Sequence, residues 1–350
     1  MSKSKSAKNQ RTVPIQKALQ MAMNAERNGH PDAALSVYRK LAAAKDMTTP
    51  FMRDVTAGLY RLGDVEAAQK LNERSIAERA AQMPDKIETA LEGLWNHVDK
   101  VRLDPDMLDW AWEARPDDLD MDRDEWERHA KWGALADRVL RDWFEVHPDG
   151  KGAENLFPDL KDSIATLEGA KTKNGLCVAA AHIGPIFSGP LFWAVADYDC
   201  RYVGAFPAVP GSPLAKRLIS TSTLTPDQVR DAAREALEAG LTLYNAPDAS
   251  PRANVESADG HNLPIRIAPL LPRLAFQMGT HSYYTAAKWQ GHQIVYDRVR
   301  LPDPEEGESE EQFIARWRKA YYAEAMKQAR TRPENLRLHR GLWRSAKKPV

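Results

Sequence analysis

Leu176-Cys177-Val178-Ala179-Ala180-Ala181-His182-Ile183-Gly184-Pro185-Ile186-Phe187 is the stretch on which the fold turns. Six consecutive apolar residues read as a strand buried on both faces, which is how a strand of a parallel sheet looks in sequence. His182 ends the run, and Gly184-Pro185 forces the chain to turn. The C-terminal end of such a strand is where α/β folds place their ligands. An imidazole there can take a proton from an attacking hydroxyl or amine. Read alone, a His at a strand end serves equally well as a plain structural residue.

Working outward from this block, short apolar runs alternate with helical patterns. Arg201–Phe206, Leu241–Asn245, Tyr283–Ala287 and Gln293–Leu301 read as strands. Pro213–Ser220, Asp227–Ala239, Leu270–Met278 and Ser309–Arg330 read as helices, the last opened by Ser309 with acids in its first turn. Strands alternating with helices predict an α/β domain over 171–345, with a mixed or mostly parallel sheet flanked by helices.

The chain before this domain reads as all-α. Asn28-Gly29-His30-Pro31-Asp32-Ala33-Ala34 recurs as Leu62-Gly63-Asp64-Val65-Glu66-Ala67-Ala68, a period of 34 residues. That is the length of a tetratricopeptide repeat. A glycine ends one helix in a left-handed turn, and an Ala pair lets the next helix approach closely. Leu35, Tyr38 and Leu41 form an apolar stripe that Leu71 and Ile76 partly echo. We therefore expect a disordered tail over 1–12 and a helical-repeat arm over 13–85. Two units are few for a solenoid, so the arm should pack on its neighbour. A helical segment rich in acid and Trp follows over 86–170, with Pro116 breaking its helices.

Composition narrows the function classes. No run of 18 apolar residues is present, so no transmembrane helix is expected. The basic N-terminus lacks the apolar stretch of a signal peptide. The expected location is cytoplasmic, with peripheral attachment to the inner membrane as an option. Cys177 and Cys200 have no redox or metal spacing and read as small buried residues. The nine His are scattered without ligand spacing, so neither a metal nor another cofactor is expected. The net charge of zero hides a segment of −9 over 104–127 and one of +9 over 316–350. These are either solvated faces that touch each other, or the second is a basic surface for an acidic carrier or anionic lipid. The bases lack interleaved aromatics or a known motif, so no nucleic-acid partner is expected.

Further blocks follow His182 in order. Ala239-Gly240-Leu241-Thr242-Leu243-Tyr244-Asn245-Ala246-Pro247-Asp248 is a strand closed by Pro-Asp. Gly260-His261-Asn262-Leu263-Pro264-Ile265 precedes a helix, and Leu336-Arg337-Leu338-His339-Arg340-Gly341-Leu342-Trp343-Arg344 closes the chain. This order over about 170 residues resembles the late acyltransferases of lipid A biosynthesis: a strand ending in His, a Pro-Asp block, a small Gly motif before a helix, and a Trp- and Arg-rich closing block. The resemblance does not reach the first 150 residues. There the family carries a membrane anchor and this chain carries repeats.

The resemblance implies transfer of a fatty acyl group from acyl carrier protein to a hydroxyl of a glycolipid or lipid-linked saccharide, with His182 as general base. Members that acylate the lipid terminus of a capsular polysaccharide would suit a peripheral enzyme. The family's motif is His, four residues, then an acid; here the acid position holds Phe187. Asp248, Asp197 and Asp199 are candidates for the missing carboxylate. Asp248 ranks first, because it matches the Pro-Asp block and should emerge beside His182 on one edge of a parallel sheet. Asn245 is a candidate oxyanion donor, or a turn residue. Arg217 matches a basic position that could hold a phosphate or carrier group, or is a solvated charge. His339 and Arg340 match the closing block, where they bind ligand or pin the C-terminal segment. The helical repeats could recruit a protein partner. The mismatch at Phe187 leaves an alternative, a catalytically inactive acyltransferase fold that scaffolds an envelope or capsule assembly.

Overall fold

The repeat at the N-terminus folds as two helical hairpins. α1 (Ile15–Arg27) pairs with α2 (Pro31–Ala42), and α3 (Thr49–Arg61) with α4 (Val65–Ala80). Gly29 and Gly63 make the two turns with φ of 76° and 83°, and Ala34 and Ala68 are fully buried behind them. Tyr38 of α2 packs flat against Gly58 of α3, where any side chain would collide with its ring. The computed structural model describes residues 13–206, 208–209, 213–248, 255–256 and 263–338 of the chain.

The acidic segment has a local explanation. α6 (Pro105–Glu113) is capped by Asp104 and α7 (Arg123–Val146) by Asp122, each carboxylate accepting a backbone N–H of the first turn. Asp124 and Glu125 then lie at the positive end of α7. The short α5 (Ile87–Glu92) runs on into a 3-10 stretch, and α8 (Leu160–Ala170) leads to the sheet. Trp126 and Trp143 of α7 are fully buried. They join the same apolar clusters as the central strand of the sheet.

The sheet has six strands: β1 (Leu176–Ala180), β2 (Cys200–Gly204), β3 (Leu218–Ser220), β4 (Thr242–Asn245), β7 (Ser282–Gln290) and β8 (Gln293–Arg300), in the order β3-β2-β4-β1-β7-β8. All are parallel except β8, which returns antiparallel along β7. β5 (Val255–Glu256) and β6 (Ile265–Arg266) form a separate antiparallel ribbon. The fold is α/β with a mixed, mostly parallel sheet flanked by helices. On one face Cys177 and Ala179 meet α10 (Pro226–Glu238), α11 (Leu270–Met278) and α12 (Glu310–Ala329). On the other, Leu176, Val178 and Ala180 meet α5, α7, α8 and α9 (Ser188–Val195).

Two local readings are corrected. Pro213–Ser220 is not a helix: a 3-10 turn covers Pro213–Lys216, and Leu218–Ser220 pairs with β2 as a strand. Leu218 and Ile219 gain more from two buried sheet faces than from one helical turn. The α9 helix escapes pattern reading because it is apolar all round and so has no helical period. Among the described residues, no helix is long and apolar enough to cross a membrane.

The arm is docked on the rest. Arg53 of α3 and Arg79 of α4 both bind the buried carboxylate of Glu145 on α7. Arg61 donates to the carbonyl of Ser222 at 2.9 Å, and Val209, from beyond β2, is buried in the core of the arm.

Candidate active site

β1 delivers His182 to the C-terminal edge of the parallel sheet, and β4, its neighbour, delivers Asp248 to the same edge. The Asp248 carboxylate is fully buried and holds His182 twice. Oδ2 accepts the His182 backbone N–H at 2.7 Å, and Oδ1 lies 2.7 Å from the ring Nδ1. An ionised carboxylate only accepts, so this contact sets the tautomer with the proton on Nδ1. The other ring nitrogen, Nε2, is then the free base. It has no hydrogen-bond partner among the described residues, and the side chain is 28% exposed.

The turn after His182 is fixed from behind. Gly184 has φ of 73°, and a Cβ there would sit 2.7 Å from the carbonyl oxygen of Ala287 on β7. Only glycine accepts both the left-handed conformation and this approach. Gln328 of α12 donates to the carbonyls of Ile183 and Ala287 and accepts the hydroxyl of Tyr284. Tyr321 of the same helix donates to the carbonyl of Ala180 at 2.8 Å. The backbone on both sides of His182 is thus tied to a single helix. Burial, with the Asp248 charge as a further contribution, pushes the phenols of Tyr284 and Tyr321 well above their ordinary range. Both therefore remain neutral donors.

No protein-family model matches the chain. It is similar to the Vi polysaccharide export protein VexE of Salmonella typhi, with 31% identity over 322 residues. The match takes in 91% of this chain and 49% of the relative, so the chain spans about half the length of that protein. The similarity therefore includes the helical arm as well as the α/β domain.

Phe187, where the resemblance expects an acid, packs its ring against Phe206 with centroids 5.7 Å apart. The guanidinium of Arg337 lies 5.4 Å from the same ring. Arg337 is buried, adopts a left-handed φ of 55°, and pairs with buried Asp137 of α7 at 2.5 Å. The Phe187 position is thus taken up by ring packing and a cation–π contact, and the carboxylate beside His182 is that of Asp248, just after β4.

The remaining candidates separate. Asn245 ends β4 level with Ala179, on the same edge as His182, but its amide reaches sideways to the carbonyl of Val203 at 3.4 Å. Arg217 is not brought to His182. It precedes β3, at the opposite edge, and donates to the carbonyls of Trp193 and Tyr198 and to Asp197. Its task there is to tie off the chain entering β2. Asp197 is engaged by Arg217, and Asp199 immediately precedes β2, so both lie at that far edge. His339, Arg340 and the Gly260-His261-Asn262 block lie outside the described residues. Gln328, Tyr321 and Tyr284 carry no sequence signal beyond their place on an amphipathic helix and a buried strand.

Chemically, the pair can accept a proton at Nε2 and stabilise the imidazolium through the Asp248 charge. Among the described residues no group of His, Cys, Asp and Glu could hold a metal ion.

Proposed function

We propose that the protein is an acyltransferase that moves a fatty acyl chain from an acyl carrier protein thioester to a hydroxyl of a glycolipid or polysaccharide lipid terminus. The observation that carries this reading is the double grip of Asp248 on His182, which leaves Nε2 as the free base. In the reaction the acceptor hydroxyl attacks the thioester carbonyl while its proton passes to Nε2. The tetrahedral intermediate then expels the carrier thiolate, which takes that proton back from the imidazolium. An ester forms, a thioester is lost, and Asp248 stays ionised throughout.

The similarity to a protein named for polysaccharide export supports an acceptor linked to a capsular polysaccharide. The resemblance to the lipid A acyltransferases supports the carrier-protein donor. Of the bases expected to meet that carrier, Arg316 is paired with Glu305 and Glu308, and Arg337 is buried. Lys319, Lys327 and Arg330 are exposed on the same segment, Lys327 beside Glu324, and offer the surface for that contact. Phe187 at the acid position favours a second reading, an inactive fold acting as a scaffold in envelope or capsule assembly.

The deciding experiment incubates the full chain with radiolabelled acyl carrier protein and lipid extracted from a deletion strain. Label should move to lipid with wild type and not with His182→Ala. Absence of transfer by wild type, with the extract active in cells after complementation, would favour the scaffold.

A further inference from the structure

A second concave site lies on the sheet edge that carries His182. It is a cleft of about 400 Å³ between the 3-10 stretch after α5, α7, the β7–β8 hairpin and the segment after α12. Trp95 is its partly open indole, and Trp132 and Trp289, both nearly buried, form the aromatic backing behind it. Trp95 lies nearly parallel to Trp132, and Trp289 stands edge-on to it, with centroids 5.7 and 5.1 Å apart. His292, exposed at the hairpin tip, is also nearly parallel to Trp132. The polar part is Glu334 with His129 and Arg332: Arg332 donates to Glu334 at 2.7 Å, and His129 stands 3.5 Å from the other carboxylate oxygen. Burial pushes the Glu334 carboxyl up, but these two partners outweigh it and hold it below its ordinary range, so the acceptor stays charged.

We infer that this cleft binds a saccharide, and that the saccharide is the sugar portion of the acyl acceptor. The second half rests on the acyl-transfer reading above; the binding itself does not. The volume falls in the range of about 300–1,000 Å³ typical of small-molecule sites. The partly open indole of Trp95, backed by Trp132 and Trp289, takes the apolar face of a sugar ring, while a carboxylate, a guanidinium and two imidazoles face its hydroxyls. The lining discriminates against other ligands. A fatty chain would strip water from Glu334 and Arg332 and offer them nothing in return. A quaternary ammonium is attracted by indole faces, but here it would meet the like charge of Arg332, which lines the cleft and already pairs with Glu334.

The cleft is joined to the His182 turn through Asn335 and through β7. The side chain of Asn335 accepts the backbone N–H of Trp289 at 2.7 Å, and its carbonyl lies 3.4 Å from where a Gly184 Cβ would be. Along β7, Trp289 is two residues beyond Ala287, which touches Gly184, so it stands about 7 Å further out on the strand. An oligosaccharide anchored on the tryptophans can therefore extend toward Nε2 of His182.

The test titrates the full chain with N-acetylglucosamine, its β-1,4-linked dimer, choline and octanoate, followed by saturation-transfer NMR and indole fluorescence. Saturation should pass to the ring protons of the dimer, and Trp95→Ala and His292→Ala should each weaken its binding about tenfold or more. Trp95→Ala should be checked for folding by circular dichroism; His292 is exposed, so its variant keeps the test valid if the first does not fold. Silence of both sugars, or a response to octanoate or choline alone, overturns the site. Sugar binding without acyl transfer by wild type would instead remove the acceptor role and leave the site standing.

Discussion

Asp248 binds His182 through the backbone and the ring at once, each at 2.7 Å. A carboxylate used only to cap a turn would need the first bond, and one used only to orient an imidazole would need the second. The two can be separated experimentally. Asp248→Asn keeps an oxygen for the backbone N–H but cannot neutralise an imidazolium. We expect turnover to fall by about 10²–10⁴-fold, as for His182→Ala, with little change in KM or thermal stability. Asp248→Ala should add a stability loss of about 1–3 kcal/mol, because the buried N–H loses its acceptor. A melting temperature and a kinetic constant for each variant check this. Wild-type-like turnover in Asp248→Asn removes the assignment.

Gly184→Ala tests whether the turn positions the base. The substitution meets a left-handed φ and the Ala287 carbonyl together. The turn must shift, and it should carry His182 away from Asp248. The expected result is a loss of kcat larger than the loss of stability, which backbone strain of this kind sets at about 1–3 kcal/mol. The histidine ring resonances in NMR should move as well. An active, unshifted variant would mean that the turn tolerates displacement.

The central strand and the His at its end were legible because a strand buried on both faces leaves an uninterrupted apolar run. Asp248 was legible for a topological reason: neighbouring parallel strands end on one edge, so residues following two apolar runs meet there. What escaped reading lacks a periodic or local signature. Helix α9 is apolar on every side, and β3 is three residues long. Arg217 looked like a site residue, but its direction depends on which end of the sheet it precedes, which sequence spacing does not encode. The Asp137–Arg337 pair joins residues 200 positions apart. The Trp cleft is assembled from four separate segments, and each Trp in isolation reads as a packing residue.

The two cysteines provide a check on the core. Both are fully buried, and burial pushes the thiol of Cys177 up to about 12 and that of Cys200 higher still. The thiolate is the reactive form, so neither should react with a thiol reagent at pH 8 while the chain is folded. Both should react at once in denaturant. Stoichiometric labelling of the native protein would mean that β1 or β2 opens readily, which is incompatible with a rigid base at the end of β1.

The last prediction concerns how the arm is held. Glu145 is 5% exposed and receives both Arg53 and Arg79, which come from different helices of the arm. Arg53 also stacks on Phe206, and burial lowers its pKa, an effect that the charge of Glu145 opposes. Glu145→Gln removes the charge but keeps the volume. Arg79 would keep its bonds to Ser75, and the acid beside the two guanidinium groups would be Asp142, 3.8 and 4.0 Å away, partly exposed and shared with Arg141. Breaking one side of a buried pair costs about 3–5 kcal/mol, and Asp142 should keep the loss near the lower figure, about 3 kcal/mol. Because both arginines belong to the arm, the loss should appear first as undocking. Limited proteolysis should cut in the connection between Ala80 and Ile87 before the α/β domain unfolds. Arg53→Ala combined with Glu145→Ala should show a coupling of about 0.5–3 kcal/mol in a double-mutant cycle. A Glu145→Gln variant within about 0.5 kcal/mol of wild type, the ordinary range of a surface substitution, would show instead that apolar packing alone holds the arm in place.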